Sequence, residues 1–189
     1  MPIRNLRHGL YVRDVPITTS LPTPLRAPQL ASYFKSMAEV CLLLAERLDA
    51  WSGGSNGQIG NVISNLSRLS SDLEQFSAVL SVNALRPSPL SNLPSEDIEQ
   101  LIAQQRRALE LALSRIALTC SALLAGEPLR ADGKGITAYR ELATLMRRSK
   151  SIAQALATNL YWQQRMQDAF EDDLSARLYA AVLGKESET

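Results

Sequence analysis

The chain has 189 residues, enough for one domain with a sizeable core and no need of disulfide or metal staples. Its 46% hydrophobic and 21% charged residues are ordinary for a soluble globular protein, and only 5% aromatic residues leaves the core to Leu and Ala. A formal net charge of +1 excludes bulk electrostatic capture of nucleic acid or acidic lipid, so any such binding must come from a local patch.

Residues 1–28 form a distinct arm. Five of the nine prolines lie there (Pro2, Pro16, Pro22, Pro24 and Pro28), which forbids a regular helix. Arg4, Arg7, Arg13 and Arg26 against Asp14 make the arm basic. Ile3, Leu6, Leu10, Tyr11, Val12, Val15, Ile17, Leu21 and Leu25 give it more apolar content than pure disorder requires, so it is expected to dock on something.

Four helices follow. The first is predicted from about Pro28 to Ala50, with Leu30, Phe34, Met37, Cys41, Leu44, Leu48 and Trp51 as its apolar stripe and Gly53-Gly54 as its stop. The second carries the clearest pattern: Ile59, Val62, Leu66, Leu69, Leu73, Phe76 and Leu80 alternate in three- and four-residue steps on one face. The rest of that helix is largely Ser and Asn with few charges, a surface suited to being covered. A proline-rich crossing, Arg86 to Pro94, leads to a third helix opened by Ser95 as N-cap and by Glu96, Asp97 and Glu99 near the positive end of the helix dipole. Its stripe is Ile98, Ile102, Leu109, Leu113, Ile116, Cys120 and Leu123, and Gly126 and Pro128 end it. The fourth starts near Thr137 and is lined by Leu142, Leu145, Ile152, Leu156 and Leu160, continuing through Trp162 and Met166. A last stretch, Phe170 to Leu183, precedes a charged tail. The expectation is all-α: a four-helix bundle with a proline-rich N-terminal arm (1–28), the bundle proper with a short C-terminal helical extension (29–183), and a polar tail (184–189).

Groups suited to catalysis are scarce. The single histidine, His8, sits in the arm, and no Glu-x-x-His pair offers a di-iron site. Cys41 and Cys120 lie in apolar helical stretches and read as buried free thiols, not as metal ligands or a disulfide. The acids Asp168, Glu171, Asp172 and Asp173 point in different directions round a helix and read as a solvated face. Neither glycine cluster, 53–60 or 132–137, has the strand context or the Ser/Thr that a nucleotide loop requires. No catalytic residue, metal or cofactor is therefore expected. The longest apolar runs are too short to span a bilayer and the start lacks a secretory signal, so an intracellular or virion location is expected.

The one chemical signal is basic. Arg130, Lys134, Arg140, Arg147, Arg148 and Lys150 stand against Glu127, Asp132 and Glu141 around the start of the fourth helix. Arg140 and Arg147, seven apart, share a face nearly opposite the Leu142/Leu145/Ile152/Leu156 stripe, where they can meet phosphates while the helix stays packed. The alternative is a solvated helix back.

Tyr161-Trp162, Arg165 and Phe170-Glu171 follow the last bundle helix, and with the helix order across residues 30–175 this resembles the coat proteins of rod-shaped plant viruses of the tobamovirus type. Arg165 and Phe170 are further apart than in that family, and the loop between the third and fourth helices is short. The resemblance implies a self-assembling subunit stacked around RNA, with the 130–150 region near the nucleic acid. Without it, the residues support a non-enzymatic assembly or interaction protein, a homo-oligomer or a binder of another protein. An adaptor, chaperone or secreted effector acting on one protein partner is the competing class.

Overall fold

The computed structural model describes residues 20–52, 57–82, 95–125 and 134–186. Four helices account for nearly all of them: α1 (Ala27–Ser52), α2 (Gly57–Ser81), α3 (Ser95–Ala125) and α4 (Lys134–Glu186). The protein is an all-α four-helix bundle, as the apolar periodicities require. Residues 1–19, which hold His8 and most of the arm, lie outside the described residues, as do the links 53–56, 83–94 and 126–133.

The helices pack as two antiparallel hairpins, α1 with α2 and α3 with α4, joined across α2–α4 and α1–α4. In α2 all seven stripe residues are buried. Each such side chain contributes about 1.5–3 kcal/mol relative to an exposed one. Between α1 and α2 the contact is made by small residues that the stripe reading passed over. Ala31, Ala38 and Ala45 recur every seven residues on α1 and are all buried. Opposite them, Ser77 Oγ donates to Ala31 O at 2.6 Å and Ser70 Oγ donates to Ala38 O at 2.7 Å. A side chain of one or two heavy atoms lets two backbones approach closely, and the serine hydroxyls then find the neighbouring helix's carbonyls within reach. Phe34 and Phe76 close the same interface edge to face, with centroids 4.9 Å apart.

This register places Ile59 opposite Asp49, so Trp51 lies past the point where α2 closes the hairpin. Expected in the α1 stripe, Trp51 is instead 50% exposed. On α4 the buried face is wider than the stripe: Tyr139, Met146, Ser149, Ala153 and Ala157 join Leu142 and Leu156, while Leu145, Ile152 and Leu160 are only partly buried. Cys41 Sγ donates to Met146 Sδ at 3.2 Å, tying α1 to α4. Both cysteines are buried and free, as their settings suggest.

The described end of the arm is fastened to α3. Leu21 N donates to Glu110 Oε1 at 2.9 Å, and Arg106 donates to Leu21 O and, at 2.9 Å, to Thr23 Oγ1. Leu21 and Leu25 are buried with it. Gln29 Oε1 then accepts from Arg26 N at 2.8 Å, so the third residue of α1 reaches back to cap its own N-terminus. At the other end of the bundle Arg47 donates to Leu124 O at 2.6 Å, satisfying a carbonyl in the last turn of α3. By length and composition α3 is apolar enough across Asp97–Ala125 to cross a membrane, a test that bundle core helices also pass. Its stripe is seated on α4, although Leu111 and Leu118 face outward.

α4 is far longer than its partners. Its 53 residues rise about 80 Å. The extension beyond Met166 is not a separate element but the same helix, continued without a break past the end of the bundle.

Candidate functional site

Two surfaces on α4 stand out. The first is a polar groove of about 390 Å³ between α2 and the beginning of α4, lined by Asn61, Val62, Ser64, Asn65, Arg68 and Arg140. Arg147, two turns beyond Arg140 on the same flank of α4, donates to Asn65 Oδ1. Three guanidinium groups and two carboxamides thus converge, with no carboxylate among the lining residues. Among the described residues neither Arg68 nor Arg140 is held in an ion pair. Planar forks of this kind match phosphate and carboxylate oxygens two at a time.

The basic residues singled out from the sequence therefore separate. Arg140 and Arg147 share the α2 flank. Arg148, one residue further on, is turned about 100° round the helix and is exposed on another side. Lys150 is set over the Phe76 ring, its Nζ 5.6 Å from the centroid, where it serves the α2–α4 contact as a cation on an aromatic face. Arg130 and the side chain of Lys134 lie outside the described residues. Arg68, Asn61 and Asn65 were missed. They sit on the Ser/Asn-rich back of α2, and no spacing within α2 signals that α4 would bring two arginines beside them.

The second surface is the overhanging part of α4. Every described side chain from Gln167 to Leu183 is exposed, including Phe170 (69%), Leu178 (60%), Tyr179 (68%) and Val182 (59%). Leu174 and Leu183 are each 47% exposed. Asp168, Glu171, Asp172 and Asp173 lie at its start, and Asp173 pairs with Arg177 at 3.1 Å along the helix. The Tyr161–Trp162 pair stands where the bundle ends, its rings edge to face at 5.4 Å.

Chemistry of other kinds is thinly represented. Among the described residues no group of three or more His, Cys, Asp or Glu gathers where a metal could sit. The Cys41 thiol is pushed up to about 12 by burial, opposed in part by the Arg147 guanidinium, and burial pushes Cys120 higher still. A thiol so held is not a nucleophile near neutral pH.

No known protein family, curated protein or solved structure matches the chain.

Proposed function

We propose that this chain is a non-enzymatic assembly or interaction protein, working through the part of α4 that leaves the bundle. One observation carries the reading: the helix presents Phe170, Leu174, Leu178, Tyr179 and Val182 to solvent along one continuous stretch. Exposed apolar side chains in a contiguous run mark a docking surface, since the free protein is penalised for leaving them in water. Long, rigid and amphipathic, the overhang presents itself as a helix to be gripped.

The test is substitution on that face. Phe170→Glu together with Leu178→Glu is expected to leave helix content and thermal midpoint unchanged, because both side chains are exposed on the overhang. Association, followed by sedimentation of the full chain alone and with cell extract, is expected to be lost. Association that survives both substitutions would remove the reading.

A second reading, a coat or nucleoprotein subunit contacting RNA, is supported by the arginine groove. Arg68 and Arg140, in no ion pair among the described residues, supply cations on a chain whose overall charge is close to neutral. It adds a ligand to the first reading and does not replace it.

A further inference from the structure

We infer that the partner gripping the overhang of α4 is a second copy of the same helix, lying antiparallel to it about a two-fold axis near residue 176. The inference rests on the reading of α4 as an interaction surface and names its occupant.

The face itself is the first argument. Leu142, Met146, Ala153 and Leu156 point into the bundle. Stepping about 100° per residue, Leu174, Leu178 and Val182 fall on the same side of the helix, with Phe170 and Ala181 along one edge of it and Glu171 among them. The core-facing side of α4 therefore runs on beyond the helices that cover it. The spacing of four, four and three from Phe170 to Ala181 averages close to the pitch of a straight α-helix, so that row does not drift off a straight neighbour.

Register is the second argument. The described overhang begins after half-buried Met166, and its exposed apolar stretch from Phe170 to Val182 is centred on residue 176. Two overhangs paired antiparallel about that point set Leu174 against the partner's Leu178 and Phe170 against the partner's Val182. At this register each copy's Leu183 lies level with the partner's Ala169, short of the partner's bundle. The contact spans about 20 Å from Phe170 to Val182 and, at roughly 100 Å² for each of four large apolar side chains, buries on the order of 400 Å² per copy. That is the size of a weak, reversible contact.

Charge fixes the direction. Asp168, Glu171, Asp172 and Asp173 all lie in the bundle-proximal half, while the described charge of the distal half is Arg177. Parallel pairing would set four acids level with four acids. Antiparallel pairing parts the acidic clusters to opposite ends and brings the partner's Arg177 to the level of residue 175, within about one turn of Asp172 and Asp173.

Sedimentation equilibrium of the full chain up to about 100 μM is expected to show a mass rising to twice that of one chain. Nitroxide labels on the exposed faces, at Ser175 in one sample and Gln164 in another, read the direction. Antiparallel helices give an intersubunit distance near the helix–helix spacing at Ser175 and one longer by tens of ångströms at Gln164, about 36 Å of offset along the axis. Equal short distances at both sites would mean parallel pairing and overturn the inference. A chain that remains monomeric overturns it too, and hydrogen exchange of Gln167–Leu183 in that monomer then separates the two failures. Rapid exchange leaves the surface free for a different protein, so the broader reading stands. Slow exchange means the chain covers its own overhang, and both fail.

Discussion

Tyr139 is the largest fully buried side chain among the described residues, and its hydroxyl has no hydrogen-bond partner among them. Burial raises its pKa, with Arg47 opposing. A buried donor left unmade costs about 1–3 kcal/mol, so Tyr139→Phe keeps the packing and removes the penalty. The variant is expected to be more stable by about 1 kcal/mol, read as a higher urea midpoint at unchanged slope. The thiols make a second prediction. Cys41 is neutral when folded up to about 12, whereas the unfolded thiol ionises from its ordinary value of 9.0. Folding stability from this group is therefore complete below pH 9 and falls as pH climbs toward 12, by at most about 1.4 kcal/mol per pH unit. Cys120 acts in the same direction. Denaturation midpoints should be flat from pH 7 to pH 8.5 and decline above, and Cys41→Ala should shallow that decline whatever it does to the midpoint at pH 7.

Among the elements, the α1–α2 hairpin depends on its small residues as much as on its leucines. Ala38→Leu would drive a branched side chain into the space that Ser70 occupies against the α1 backbone. It is expected to cost about 1–3 kcal/mol, whereas Ser70→Ala, which removes one hydroxyl bonded to an already paired carbonyl, should cost about 1 kcal/mol or less. Equal losses, measured side by side in urea, would mean that the helices are not closely apposed there. The sequence made the helices and their leucine stripes legible because burial repeats at helical period, and the α2 stripe was buried throughout. The alanine–serine seam was not legible: Ala and Ser are equally at home on a solvated face, and only the partner helix distinguishes the two. Trp51 failed for the opposite reason, since periodicity says nothing about where the facing helix stops. For the candidate site, Arg140 and Arg147 were found from their shared face on one helix. Arg68 comes from another helix, and its proximity is a product of the α2–α4 packing alone.

At the scale of the whole molecule, the groove and the overhang are about 50 Å apart along α4, with rigid helix between them. That separation makes their functions independent and separately testable. Net charge near neutral means that any grip on a polyanion must come from a local patch, of which the groove at Arg68 and Arg140 is the described candidate. Binding of a short polyuridylate strand should weaken with salt, with a slope of about 0.7 per phosphate contact. Arg68→Ala with Arg140→Ala should therefore flatten the slope by about 1.4 and leave the sedimenting mass unchanged. Arg148→Ala, on a different side of α4, should alter the slope far less. Phe170→Glu with Leu178→Glu should do the converse, leaving one chain's slope intact while abolishing self-association. Equal slopes for the wild-type chain and the Arg68/Arg140 variant would show that the groove takes no phosphate, and the nucleoprotein reading would fall while the helix-pairing one remained. An effect of the groove substitutions on mass would instead mean that the two surfaces meet in the assembly, which antiparallel pairing about residue 176 does not allow.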